Sequence, residues 1–172
     1  MWFARTSLSI AVLLITAACG FRPLYAPSAN GDVIRGLANI RILSIKDRVG
    51  QNLHNQLLDL LNPVGPPARP DYVLRIRLSE SKERLAIRKS AFATRANLRI
   101  SAKFTLSTVR KGVEDTGNPV FSGKSASISS YNILDNPFAT VMAEKNARQL
   151  VVRSIAQDIR TRLAVFIAQR QE

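Results

Sequence analysis

The residues with the clearest chemistry are a lone cysteine and the small side chains before it. Cys19, the only cysteine of the chain, directly follows Ala17 and Ala18. The apolar run over residues 8–18 is too short to cross a bilayer as a finished helix, but with Arg5 before it the run suits the core of a secretory signal. Small side chains fit a signal peptidase, so we expect cleavage before Cys19 and a thiol that carries lipid. An internal disulfide is excluded because there is no second cysteine.

The residues on either side of the cysteine refine this expectation. Thr16 lies three residues before Cys19, where lipoprotein signals usually have Leu, so an ordinary secreted protein with a free thiol is the alternative. Two or more acyl chains on Cys19 would hold the protein stably in a membrane, because each buried methylene contributes about 0.8 kcal/mol and one chain alone is marginal. Gly20 follows the cysteine instead of Asp. By analogy with enterobacterial sorting, this predicts the outer membrane.

The charge of the chain predicts a polyanionic partner. Lys and Arg number 25 against 12 Asp and Glu, a net charge of +13. Nucleic acid would be the usual partner of so basic a chain, but an exported, lipid-anchored protein does not meet the genome. The anions at that location are phosphorylated lipids, lipopolysaccharide above all. The alternative is that the excess charge only keeps the surface soluble.

The basic residues are concentrated between residues 72 and 111, where eleven of them accompany only two acids, Glu80 and Glu83. Polar and apolar residues alternate in two stretches of this region, which predicts strands with one wet face. Pairing the two strands would gather cations on one surface, and arginine binds phosphate through a bidentate fork. A solvated strand face that protects against aggregation is the alternative. The candidate lipopolysaccharide-binding residues are Arg75, Arg77, Arg95, Arg99 and Lys103.

Three segments are predicted along the chain. Residues 1–18 form the signal peptide. Residues 19–36 form an extended, lipidated tether, because this stretch contains Pro and Gly and has no sustained periodicity. Residues 37–172 have a length that suits one domain with a sizeable core.

Within that domain, hydrophobic spacing predicts a strand, a helix, three strands and a long helix. The fold class is therefore α+β, a mainly antiparallel four-stranded sheet with two helices packed on one face. Asp47 is the expected cap of the first helix, and Asn136 followed by Pro137 is the expected start of the last helix, of about thirty residues. The expected strands are Asn39–Ile45, Tyr72–Ser79, Ala96–Leu106 and Val120–Tyr131, and Asn62-Pro63 ends the first helix.

Catalysis finds little support in the sequence. His54 is the only histidine, and the domain has no cysteine to pair with it. Neither a Cys/His cluster nor closely spaced carboxylates suggest a metal. Gly123-Lys124-Ser125 lacks the glycine that a phosphate-binding loop places five residues earlier, and the residues after it alternate as in a strand. We therefore predict no catalytic residue, no metal and no cofactor, and a periplasmic hydrolase lacks a nucleophile and base.

The block Cys19-Gly-Phe-Arg-Pro-Leu-Tyr25 resembles the LptE family of lipopolysaccharide-assembly lipoproteins, in its alphaproteobacterial form. This resemblance implies a strand-helix-three-strand-helix fold that sits in the lumen of the LptD outer-membrane β-barrel or faces the periplasm. It also implies that the protein plugs the barrel, assists its assembly and binds lipopolysaccharide on its way to the outer leaflet. The alternative of another class is an auxiliary periplasmic lipoprotein of an ABC-type lipid transporter.

Overall fold

A four-stranded sheet and three helices make up the computed structural model, which describes residues 27–87, 93–109 and 119–170. From Asp32 onward the described residues form one compact unit. The strands lie side by side in the order in which they occur along the chain. The elements are helix α1 (Pro27–Ala38), strand β1 (Ile40–Ile42), helix α2 (Asp47–Leu61), strands β2 (Tyr72–Ile87), β3 (Ala93–Thr108) and β4 (Pro119–Asn132), and helix α3 (Pro137–Gln169).

The sheet is mixed. β3 pairs with both β2 and β4 in antiparallel fashion, but β1 pairs with β2 in parallel, with Ile40 opposite Tyr72. A parallel pair requires a crossover connection, and α2 provides it by returning the chain to the end of the sheet where β1 began. The prediction of a mainly antiparallel sheet is therefore corrected at this edge. β2 and β3 also extend beyond their predicted ends and form a hairpin of two 16-residue strands.

The third helix, α1, corrects the prediction of two helices and of an extended conformation over residues 27–36. Pro27 is its first residue, where a missing backbone N–H costs no helical hydrogen bond. Val33 and Leu37 are buried in the core, and this tertiary packing outweighs the low helix propensity of the segment. Gly36 lies so near α3 that a Cβ there would be 2.6 Å from Cγ2 of Ile167. Residues 19–26 of the predicted tether lie outside the described residues.

The ends of α2 and α3 follow their sequence signals with one exception. Asn136 Oδ1 accepts hydrogen bonds from the backbone N–H groups of Phe138 (2.9 Å) and Ala139 (3.3 Å), which confirms the predicted cap of α3. Asn62 ends α2 as predicted. The predicted Asp47 cap is wrong, because Lys46 occupies the cap position and makes no side-chain capping bond, while Asp47 has φ of 69°.

The core lies between the helices and the even-numbered side of β2 and β3. Every even-numbered residue of β3 from Ala96 to Leu106 is at most 2% exposed, as the alternation predicted. Phe104 lies over Gly123 of β4, where a Cβ would be 2.5 Å from the ring atom Cζ, so only glycine fits beneath this ring. The odd-numbered residues of β2 and β3 consequently form the opposite face, which we call the open face.

Candidate functional site

All five predicted lipid-binding residues lie on the open face. Each has an odd number on β2 or β3, and the antiparallel register keeps opposed odd residues on the same side of the sheet. Arg77, Arg95, Arg99 and Lys103 are exposed, whereas Arg75 is half-buried. The structure therefore shows the shared surface that the alternation predicted.

The register also brings three cations into one line across the sheet. Arg77 of β2 is opposite Lys103 of β3, and Lys103 is opposite Lys124 of β4. Side chains opposed in this way have Cβ atoms about 5 Å apart, and like charges at that spacing destabilise a sheet. We call Arg77, Lys103 and Lys124 the cation row. A bound anion would offset this repulsion, so the cation row is a candidate anion-binding site.

Lys124 is a candidate site residue that the sequence alone did not identify. In the sequence Lys124 lies in an incomplete phosphate-loop motif, and the many small residues around it give only a weak strand alternation. The register of β4 against β3, which the structure supplies, is what aligns Lys124 with Lys103. The useful sequence signal is that Lys124 lies two residues from both Ser122 and Ala126, because this spacing places all three on one face of a strand.

Small polar side chains flank the cation row and leave it accessible. On one side Thr105 and Ser122 are opposed, and on the other Ser79 and Ser101 are opposed. Hydroxyl groups at these positions are donors that suit phosphate oxygens. Short side chains also do not cover the longer cations between them.

The other predicted cations differ in their distance from the row. Arg75 is two residues from Arg77, and Arg99 is four residues from Lys103, beside the half-exposed Ile128. Arg95 is separated from Lys103 by eight residues, or about 27 Å of extended strand, so it cannot contact the same phosphate. Among the described open-face residues of β2 to β4, Glu83 is the one acid.

On the helix-covered side, the second half of β2 contributes Glu80 and Lys82 to an ion-pair network with α3, while the even-numbered residues of β3 there remain apolar. Arg148 of α3 donates from Nε and Nη2 to the Glu80 carboxylate at 3.1 and 2.9 Å, and from Nη2 to Glu144 Oε1 at 2.6 Å. Lys82 Nζ also donates to Glu144 Oε1, and Tyr131 Oη donates to Glu144 Oε2 at 3.1 Å. We call these five residues the Arg148 network. It ties the first half of α3 to β2 and β4.

The network favours the charged forms of Glu144 and Arg148 and the neutral form of Tyr131. The hydrogen bond from the Lys82 ammonium is the main cause that lowers the pKa of Glu144 from 4.5 to about 2. The Glu80 carboxylate raises the pKa of Arg148 above its ordinary value. Burial, followed by the hydrogen bond to Glu144, raises the pKa of Tyr131. Lys82 and Arg148 are thus paired with carboxylates on the helix-covered side of the sheet.

The remaining predictions from the sequence concern Cys19, His54, metal sites and membrane-spanning helices. Cys19 lies outside the described residues, so its lipidation stays a prediction. His54 lies half-buried on α2. Across residues 27–87, 93–109 and 119–170, His, Cys, Asp and Glu do not gather in a group of three or more that could hold a metal ion. In the same part of the chain, no helix combines the length and apolarity needed to cross a bilayer.

Comparison with known families identifies the fold. A family model described as LptE, lipopolysaccharide-assembly, matches residues 34–163, which is more than half of the chain. The chain belongs to the LptE family. The matched range contains the whole open face and the Arg148 network, whereas Cys19 and the block that suggested the resemblance lie before it. LptE is a family of lipopolysaccharide assembly and not an enzyme family, in line with the predicted lack of a catalytic site.

Solved structures resemble this LptE family member in fold. A candidate lipoprotein from Caulobacter crescentus is 25% identical, covers 79% of this chain and 96% of its own, and superposes with a TM-score of 0.62. A minor lipoprotein from Acinetobacter baumannii is 18% identical, covers 75% of this chain and 94% of its own, and gives a TM-score of 0.55. No curated protein sequence matches the chain.

Proposed function

We propose that this LptE family protein is an outer-membrane lipoprotein that plugs the LptD β-barrel, assists its assembly and binds lipopolysaccharide during insertion into the outer leaflet. The observation that carries the lipid-binding part is the cation row on an open sheet face. Family membership supports the role in lipopolysaccharide assembly. The mechanism is binding without turnover.

The open face suits the phosphates of a lipid A headgroup. Arg77 can hold one phosphate through its planar fork, while Lys103 and Lys124 supply compact charges about 5 Å and 10 Å further along the row. Arg75 and Arg99 lie near enough to meet a second phosphate of the same headgroup. An anion would remove the mutual repulsion of the row, so part of the binding free energy would come from relieving a cost already present in the free protein.

The exterior of the domain also suits the lumen of a barrel. The interior of an outer-membrane barrel is polar and water-lined, which allows a charged surface to remain hydrated there. Strand faces rich in Ser, Thr, Arg and Lys meet this requirement. Acyl chains on Cys19 would hold the domain beside the membrane in which the barrel is embedded.

The lipid-binding part is tested by Arg99→Gln combined with Lys103→Gln. We expect lipopolysaccharide to bind about tenfold more weakly at low ionic strength, because two charge contacts are lost and salt does not mask the effect. Titration of labelled lipopolysaccharide against each purified protein gives the dissociation constants. The control is Lys145→Gln with Arg153→Gln, which removes the same charge from exposed positions on α3. Equal weakening of both variants would reject the open face as the binding site.

The barrel part is tested by recovery of the mature, tagged protein from detergent-solubilised outer membranes. We expect a large β-barrel protein to be recovered with it, in amounts that persist at high salt because a plug is enclosed by its partner. The alternative function, an adaptor of an ABC-type lipid transporter, would instead yield an ATP-binding cassette complex. Recovery of the second complex without a barrel would contradict the plug.

A further inference from the structure

Among the described strands, β4 forms a long edge of the sheet. The strand order places β4 at one end, with 14 residues, while the strand at the other edge, β1, has only three. Among the described residues no backbone hydrogen bond outside the β3–β4 ladder involves β4. A strand edge of this kind offers a row of N–H and C=O groups to another chain.

The register shows which groups point outward. Val109 N–H donates to Asp71 C=O, so odd residues of β3 bond to β2 and even residues of β3 bond to β4. Even residues of β3 are opposite odd residues of β4. The even residues of β4 therefore direct both backbone groups away from the sheet. In the regular part of the strand they are Ser122, Lys124, Ala126, Ile128, Ser130 and Asn132.

In the part of the chain that the structure describes, β4 has little of the usual protection of an exposed edge. Natural edges are shortened, bulged, charged or interrupted by proline. In β4 the one proline is the first residue, Pro119, the irregular pairing is confined to that end, and Lys124 is the single charged residue. From Phe121 to Asn132 the pairing with β3 is regular, so this length of strand suits a neighbour.

A groove beside the same edge is also incompletely covered. It is lined by Ser129 to Asn132 of β4 and by Ala143, Ala147 and Leu150 of α3, with Leu134 from the connection. Leu134 and Leu150 are each about half exposed. Leu134 and Leu150 are therefore exposed apolar side chains beside β4 that an additional strand could cover.

We propose that the edge of β4 binds an extended segment of a partner polypeptide as a fifth strand, with acidic and apolar residues alternating along that segment. An acid opposite Lys124 would give the cation row a counter-charge, and apolar residues on the other face would cover Leu150. This goes beyond the proposed lipid binding, since the ligand is a polypeptide. A second copy of the chain fits less well, because symmetric β4 pairing would place two cation rows on one face without an acid between them.

The test uses an eight-residue synthetic peptide of alternating Glu and Val, with alternating Lys and Val as its control. We expect the Glu/Val peptide to slow hydrogen exchange at the amides of Ser122, Lys124, Ala126 and Ile128 by about tenfold or more, while amides of odd β4 residues change little. The Lys/Val peptide should have a much smaller effect. Equal protection by both peptides, or protection by neither, would overturn the proposal.

One variant separates this site from the lipid-binding surface, and a second tests the charge of the partner segment. Ala126→Pro removes one outward N–H without removing a bond to β3, so peptide protection should be lost while lipopolysaccharide binding is unchanged; Ala126→Ser is the matched control. If Ala126→Pro does not fold, Lys124→Glu tests the proposal instead, because this variant should bind the Lys/Val peptide in preference to the Glu/Val peptide. If Lys124→Glu still prefers the Glu/Val peptide, the proposal of an acidic partner strand is contradicted. It is also contradicted if the free protein forms a concentration-dependent dimer that Ala126→Ser retains and Ala126→Pro loses.

Discussion

Replacing Arg148 with Met should lower the free energy of unfolding by about 2 to 3 kcal/mol at neutral pH, because it leaves the Glu80 and Glu144 carboxylates near each other with only Lys82 to compensate. The value is below that of a fully buried pair because the Arg148 side chain is 22% exposed. Denaturant unfolding of both proteins measures the difference. The first half of α3 should separate from the second half of β2 at a lower denaturant concentration than the one that unfolds the core.

The same substitution should have a characteristic pH dependence. The folded-state pKa of Glu144 is lowered to about 2 from 4.5, so its stabilisation is fully present above pH 4.5 and is lost as the pH falls toward 2. The wild-type protein should therefore lose stability over that interval. The difference between wild type and Arg148→Met should narrow in the same interval, because Glu144 becomes protonated in both.

Arg162→Met on the same helix is the matched control. Arg162 pairs with Asp158 one turn away, but their side chains are 48% and 39% exposed. Solvent-exposed pairs of this spacing contribute about 0.3 to 0.5 kcal/mol. Equal destabilisation by the two variants, or a difference that does not change with pH, would show that the Arg148 network does not hold α3 on the sheet.

The parts of the fold that the sequence predicted are those fixed by local patterns. Strict alternation from Ala96 to Leu106 identified the central strand and its buried face, and Asn136-Pro137 located the start of α3. α1 was missed because its helical state depends on burying Val33 and Leu37 against residues distant in sequence. The parallel pairing of β1 was missed because alternation within a strand carries no information on its direction relative to its neighbours.

The candidate site was also predictable only where it depends on alternation within a single strand. The odd numbering of Arg75, Arg77, Arg99 and Lys103 was enough to place them on one wet face. It was not enough to show that Lys124 completes a row, or that Arg95 lies far from it, because both facts depend on register. The partners of Lys82 were also out of reach, since Glu144 comes from a helix sixty-two residues later in the chain.

Neutralising the cation row should weaken function and strengthen the fold at the same time. In Arg77→Gln, Lys103→Gln and Lys124→Gln combined, we expect lipopolysaccharide to bind about a hundredfold more weakly at low ionic strength, because adjacent cations that share one phosphate are all lost. The free energy of unfolding of the free protein should rise by about 0.5 to 1 kcal/mol, since two opposed like-charge pairs disappear.

The opposite signs of the two effects distinguish a binding surface from a solvated strand face. A combined control, Arg69→Gln with Lys145→Gln and Arg153→Gln, removes three exposed charges from a loop and from α3. It should leave stability nearly unchanged and reduce binding only by the small amount due to net charge. If the row variant is no more stable than wild type, its cations do not repel one another. If it also binds lipopolysaccharide as the control does, the row has no part in recognition. Family membership and the proposed barrel contact would then be the remaining support for the protein's role.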